Sequence, residues 1–231
     1  MKTIGLVGGT GWVSTVEYYR LINQETNRRL GGLNFARCVL YSLDYGVIDE
    51  FNRRNNTEGI YALVLDAARK LMNAGAECLL LCANTMHMHA EKIMQAVPLP
   101  LIHIASATAD EIVRHKISKV GLLGTKMTME MDFYKKRLNH AKIDVLVPDK
   151  EDREFINQAI NKELLVSQFL PKSKQRFLEI IQKLGDQGAK GIVLGCTEIP
   201  LLIKQEDTEL PVFDTTVIHS LAAVDFALEK G

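Results

Sequence analysis

Two short stretches of this chain carry side chains suited to moving a proton or holding an anion. Gly195-Cys196-Thr197-Glu198 follows the apolar run Ile192–Leu194, and Ala83-Asn84-Thr85 follows the apolar run Cys78–Cys82. Each reads as a turn between a buried strand and a helix. A thiol in such a turn lies among backbone N–H groups and at the positive end of a helix, which favours the thiolate. Asn84, Thr85 and Thr197, together with free amides, suit a carboxylate. The bland reading of Cys196 is a small buried apolar residue, the usual fate of cysteine. A third turn, Gly8-Gly9-Thr10-Gly11, follows the strand-like Ile4–Val7 and offers the Thr10 hydroxyl to a ligand, while Ser14, with Glu17 three residues on, has the spacing of a capping box. This glycine turn is not a dinucleotide fingerprint. The third glycine of that pattern is replaced by Ser14, and the first acidic residue past the second strand, Asp44, comes too late.

The elements that must position these turns alternate between strand and helix. Ile4–Val7, Arg37–Leu43, Cys78–Cys82 and Leu99–Ile104 read as strands; helices follow Ser14, stopping at Gly31-Gly32, and Thr57, stopping at Gly75. The order then repeats. Ile4-Gly5-Leu6-Val7-Gly8 matches Val120-Gly121-Leu122-Leu123-Gly124, offset by 116; Gly75–Leu81 matches Gly188–Leu194, offset by 113; Leu99–Ile102 matches Leu210–Phe213, offset by 111. The expected fold is therefore α/β: two similar lobes with mostly parallel sheets flanked by helices, related by a pseudo-two-fold internal repeat. The expected lobes are 1–104 plus 213–231 and 105–212, with a final helix from about 215. Ligands of open α/β sheets bind beyond the carboxyl ends of the strands, so the site is expected in the cleft between the lobes, at their matching turns. Thr125, after Gly124, is the second-lobe counterpart of the first glycine turn and a further carboxylate ligand.

Bulk properties narrow the class. In 231 residues, 47% are apolar and 24% charged, and 28 basic residues balance 28 acidic ones. A neutral chain of this kind gives no reason to expect nucleic acid or an anionic membrane surface as partner. No apolar run approaches the roughly 18 residues of a membrane span, and Met1–Gly9 lacks a signal-peptide pattern. The four cysteines, Cys38, Cys78, Cys82 and Cys196, form no CxxC pair and no His/Cys/Asp group has metal spacing, so a cytoplasmic protein with reduced thiols and no metal is expected.

Gly8-Gly9-Thr10-Gly11, Cys82-Ala83-Asn84-Thr85-Met86-His87, Gly121-Leu122-Leu123-Gly124-Thr125 and Gly195-Cys196-Thr197-Glu198-Ile199 together resemble the signatures of the cofactor-independent aspartate/glutamate racemases, in order and over nearly the whole chain. The resemblance implies an isomerase that needs no PLP or other cofactor, takes a small acidic amino acid, and forms a homodimer. It implies two acid/bases, one on each face of the substrate α-carbon. A thiolate suits that work because its pKa can lie near the working pH, and the carbanion is stabilised by hydrogen bonds to the carboxylate. Cys196 matches the second-lobe acid/base. The first-lobe position, a cysteine in the family, is Ala83, which cannot carry a proton. Cys82 is its neighbour, but a regular strand turns it to the opposite face; a bulge at Cys82, another group such as Thr85, Glu198 or a held water, or a one-base reaction are the alternatives. The resemblance also places a cation for the side-chain carboxylate at Arg53 or Arg54 and a second at Lys162. His87, which follows the Asn84-Thr85 turn, reads as holding that turn rather than as catalytic. His103 reads as a structural histidine, Met86 and Met88 as core or cleft lining. With one thiol, the alternatives to a racemase are a one-cysteine decarboxylase related to arylmalonate decarboxylase, another isomerase on the same scaffold, or a catalytically weakened acidic-amino-acid binding protein.

Overall fold

A computed structural model describes residues 1–229. In the first half β1 (Ile4–Gly8) leads into α1 (Trp12–Leu30), β2 (Cys38–Ser42), α2 (Tyr45–Arg53), α3 (Thr57–Asn73) and β3 (Cys78–Leu81). A 3-10 turn at Thr85–His89, α4 (Ala90–Ala96) and α5 (Ile104–Arg114) follow. The second half runs β4 (Lys119–Gly124), α6 (Lys126–Glu130), α7 (Asp132–His140), β5 (Asp144–Leu146), α8 (Lys150–Lys162), α9 (Pro171–Asp186), β6 (Ile192–Gly195), α10 (Ile199–Leu202), β7 (Val212–Asp214) and α11 (Thr215–Leu228). All strand pairing is parallel, in a three-stranded sheet ordered β2-β1-β3 and a four-stranded sheet ordered β5-β4-β6-β7. The chain is α/β with helices flanking two parallel sheets.

The contacts divide the described residues into two compact units, Met1–His103 joined by residues 219–229, and Ile104–Ile218. Each sheet is buried on both faces, which is why its strands are continuous apolar runs. In the first unit Val7, Leu79 and Leu81 pack with Val64 and Leu71 of α3, while Ile4, Leu6, Leu80 and Cys82 pack with Tyr18 of α1 and Ala223, Val224 and Ala227 of α11. In the second unit Leu123, Ile192 and Leu194 pack with Ile156, Phe177 and Ile180, and Val120, Leu122 and Val193 with Ile104, Ile112, Tyr134 and Phe213. The helix that follows the first half, α5, thus fills the second unit's core, and the end of α11 fills the first unit's. The return to the first unit falls inside α11, because β7 is hydrogen-bonded to β6.

The repeat extends further than the matched strings. Tyr18 and Tyr134, 116 residues apart, are both fully buried. The Tyr18 hydroxyl meets His219 Nδ1 of α11 at 2.8 Å, and the Tyr134 hydroxyl meets Thr108 Oγ1 of α5 at 3.3 Å. Helix starts differ slightly from the sequence reading. Helix α1 begins at Trp12 with Gly11 at its N-cap, so Ser14 lies one turn in and donates its hydroxyl to the Gly11 carbonyl at 2.8 Å. Gly9, at φ 83°, turns the chain so sharply onto the Leu43 backbone that the helix starts early. Asn56, not Thr57, caps α3 by accepting from Gly59 N. Leu99–Ile104 is no strand: Leu101 makes one parallel bridge to Leu79 before α5 begins at Ile104. Among the described residues no helix is long and apolar enough to cross a membrane.

Candidate functional site

In the second unit β6 sits between β4 and β7, and Cys196 follows its last residue. Gly124 of β4 is in register with Gly195, so Thr125 and Cys196 are the next residues along neighbouring strands. The two strands approach so closely there that a Cβ on Gly124 would lie 2.8 Å from the Gly195 carbonyl oxygen. Thr125 caps α6, accepting from Thr128 N at 3.3 Å. Thr215, at the end of β7, donates to the Leu194 carbonyl at 2.8 Å and ties the neighbouring turn to β6.

Cys196 is 6% exposed, and Thr197 and Glu198 are also buried. The Cys196 thiol donates to Glu198 Oε2 at 3.0 Å, and the Thr197 hydroxyl donates to the same oxygen at 3.0 Å. A buried carboxylate thus collects two donors from its own turn. The thiolate expected from position alone is not the resting form. Burial raises the thiol well above its ordinary range, and the Glu198 carboxylate raises it further; the backbone N–H groups of Glu198 and Ile199 oppose this but are outweighed. The helix that follows, α10, is only one turn long. Chemically, the turn is a protonated thiol with a proton acceptor already in hydrogen-bond contact.

The corresponding turn of the first unit carries no outward thiol. Ala83 is half-buried on the Leu79–Leu81 face. Cys82 lies in the opposite core with Ile4, Leu6 and Tyr18, its amide held by the Val7 carbonyl at 2.9 Å, and burial pushes its thiol far up. There is no bulge to turn it round, so Cys82 is not a substitute proton carrier. Asn84 and Thr85 begin the 3-10 turn, and His87 Nδ1 lies 3.0 Å from the Ala83 carbonyl oxygen. A carbonyl only accepts, so His87 holds its proton at Nδ1 and braces the turn. The His103 and His219 rings pack on His87 at centroid distances of 4.7 and 5.4 Å. His219 Nε2 donates to the Ile102 carbonyl at 2.7 Å, which leaves Nδ1 to accept from Tyr18. Complete burial lowers the His219 pKa to about 3.

In the glycine turn of this unit, Thr10 is buried and its hydroxyl has no partner. It precedes Gly11, which caps α1 without a side chain, so an acceptorless hydroxyl and the start of a 19-residue helix point at one place. Arg53 and Lys162 are not on strand-end turns. Arg53 is 78% exposed on the last turn of α2, paired with Asp49; Arg54 pairs with Glu50, and Lys162 ends α8 in solvent. The sequence reading missed the role of Glu198 as the thiol's direct partner and the histidine stack under Ala83. Among the described residues no group of three His, Cys, Asp or Glu could hold a metal ion.

Comparison with known proteins accounts for the whole chain. The chain is 46% identical to a Yersinia pestis protein of solved structure regarded as a candidate Asp/Glu racemase, covering 99% of this chain and 100% of that one at TM-score 0.92. It is 35% identical to an aspartate racemase homologue from Pyrococcus horikoshii OT3, covering 99% and 100% at TM-score 0.86. It is also 26% identical over 227 residues to the broad-specificity amino-acid racemase RacX of Bacillus subtilis (strain 168), covering 96% of each. Relatives named as racemases are isomerases. The profile of the Asp/Glu/Hydantoin racemase family matches residues 7–223. The chain belongs to the Asp/Glu/hydantoin racemase family.

Proposed function

We propose that this protein racemises aspartate, glutamate or both without PLP, with Cys196 as the acid/base on one face of the α-carbon. The observation that carries this reading is the Cys196–Glu198 contact at 3.0 Å in a buried turn at the end of a central strand. Glu198 accepts the thiol proton, and the thiolate then takes the α-proton. The resulting carbanion is held by hydrogen bonds to its carboxylate from Asn84, Thr85, Thr10, Thr125 and Thr197. The proton that completes inversion arrives on the other face from a non-thiol donor, Thr85 or a water held there, because Ala83 stands at the first-lobe position. Arg53 is the cation for the side-chain carboxylate, exchanging Asp49 for substrate, with Lys162 as the second.

The test is proton NMR of L-aspartate and L-glutamate in D2O with a chiral assay of the product. Loss of the α-proton signal with appearance of the D-isomer is the expected result. No exchange with either amino acid would overturn the reading. Glu198→Gln is expected to lower exchange by about 10²-fold or more, since the thiol then lacks an acceptor. A second reading has one observation in its favour, a cysteine in only one of the two matching turns: a decarboxylase needs to protonate its carbanion on one face only. It predicts CO2 release from a substituted malonate and no D-isomer.

A further inference from the structure

We infer that His219, with Tyr18 behind it, is a positioning residue for the Ala83-Asn84-Thr85 turn: it holds His87, and through His87 the peptide that aims this turn. The observation is a difference between two halves built on one plan. Tyr134 stands 116 residues after Tyr18, and His219 stands 111 residues after Thr108, the offsets of the neighbouring repeats. Both tyrosines are fully buried, and each meets its partner on the helix that follows the matched Leu99–Ile102 or Leu210–Phe213 segment, α5 for Tyr134 and α11 for Tyr18.

A threonine is enough to satisfy such a tyrosine. Thr108 accepts from the Tyr134 hydroxyl at 3.3 Å and donates to the Ile104 carbonyl of its own helix at 2.8 Å. His219 accepts from the Tyr18 hydroxyl at 2.8 Å but donates outside its helix, to the Ile102 carbonyl at 2.7 Å. The imidazole is completely buried, and burial keeps it neutral. A buried ring that needs a partner at each nitrogen is a more demanding choice than the hydroxyl that serves the other half. What the larger ring adds is reach.

That reach leads to His87 by two routes. The His219 ring packs edge to face on His87 at a centroid distance of 5.4 Å. Its hydrogen bond to Ile102 also fixes the residue before His103, whose ring lies on His87 at 4.7 Å, and Ile102 N donates in turn to the Leu79 carbonyl of β3 at 3.0 Å. His87 is thereby held in one orientation, with Nδ1 on the Ala83 carbonyl at 3.0 Å and its amide on the Asn84 carbonyl at 3.1 Å. A trans peptide is planar, and its C=O and N–H point opposite ways. Holding the Ala83 carbonyl toward His87 therefore turns the Asn84 N–H away from it. The second half has no counterpart: the residue matching His87 at offset 113 is Pro200, which has no ring N–H to donate. The histidine set thus belongs to the half whose turn lacks a thiol, where the turn has only to hold and orient its ligand. The inference rests on the assignment of Asn84 and Thr85 to the substrate carboxylate.

The experiment copies the other half: His219→Thr, with Thr108→Ala as the matched control, each checked by circular dichroism. NMR of the whole chain with isotope-labelled histidine follows the His87 ring near neutral pH. In wild type His87 is expected as the Nδ1–H form with a slowly exchanging proton, and in His219→Thr that proton is expected to exchange about tenfold faster or more. For α-proton exchange of aspartate or glutamate, kcat/KM is expected to fall by about tenfold or more in His219→Thr, chiefly through KM, whereas Thr108→Ala, which also strips a buried tyrosine of its partner, stays within about twofold of wild type. A His219→Thr protein whose His87 Nδ1–H exchanges as in wild type overturns the inference, and so does a loosened His87 with unchanged KM. If wild type moves no α-proton, the proposed function fails on that result alone, while the exchange of the His87 proton still decides whether His219 holds the turn. Where His219→Thr does not fold, Tyr18→Phe, which removes one oxygen, takes its place under the same criteria.

Discussion

The turn after β6 and the turn after β3 occupy the same place in two copies of one plan, yet they are furnished differently. The first holds Cys196 with the Glu198 carboxylate behind it; the second holds Ala83 with the His87 imidazole behind it. One turn keeps a movable proton in contact with an acceptor. The other uses its histidine to brace a backbone carbonyl. On the function proposed above, matching strand-end turns serve for reaction in one half and for holding in the other, and the contrast begins with Cys196 standing where the other turn has Ala83.

The largest expected effect comes from removing the reactive half of this contrast. Cys196→Ser should lower α-proton exchange by about 10²–10⁴-fold while leaving circular dichroism unchanged. Wild-type rates in that variant would erase the contrast. Making the halves alike by Ala83→Cys should raise racemisation by about tenfold or more, read as D-isomer formed per deuterium incorporated. No gain, with the new thiol shown to react with a maleimide, would mean that the first half was never short of a proton carrier.

Thr10→Val tests whether the orphan hydroxyl serves substrate. A hydrogen bond to a charged group contributes about 1.5–3 kcal/mol, so KM should rise by about tenfold or more with kcat less affected. Stability should not fall, because the hydroxyl has no partner to lose. A lowered urea midpoint with unchanged KM would mark Thr10 as structural. The smallest effect separates the two buried tyrosine contacts. His219 stays neutral when folded down to about pH 3, whereas in the unfolded chain it binds a proton below 6.5. The unfolded state therefore gains protons as pH falls through that window, and stability should drop by about 1.4 kcal/mol per pH unit on this residue's account. His219→Gln should flatten that slope in urea titrations between pH 6 and 4. The Tyr134–Thr108 contact titrates nowhere in this range, and Thr108→Ala should leave the slope as in wild type.

Much of the plan was legible because it rests on local signals. Buried parallel strands are continuous apolar runs, and glycine turns mark their ends, so β1, β3, β4 and β6 and the turns after them stood out, as did the repeat. Asn56 and Gly11 were missed as caps because a nearby polar residue, Thr57 one position on and Ser14 three positions on, fits the same pattern. The Leu99–Ile104 segment has the composition of a strand but bridges at one residue only. The protonation of Cys196 was misread for a different reason. Proximity to amides can be read from position, but the burial that outweighs them, and the reach of Glu198 back to the sulfur, depend on packing. The histidine stack needed the third dimension altogether, since His87, His103 and His219 are far apart in sequence.

The exchange of helices between the halves constrains how the chain is made. The apolar face of β1 and β3 formed by Ile4, Leu6 and Leu80 is covered in part by Ala223, Val224 and Ala227, and Lys2 N donates to the Ala227 carbonyl at 2.9 Å. During synthesis the first hundred residues emerge with that face covered only by α1, and the rest of it stays bare until α11 leaves the ribosome. Such long sequence separation between contacting residues slows folding and lengthens exposure to aggregation. A nascent chain stalled before residue 219 should therefore recruit chaperones through its first half, although every strand of that half is already present.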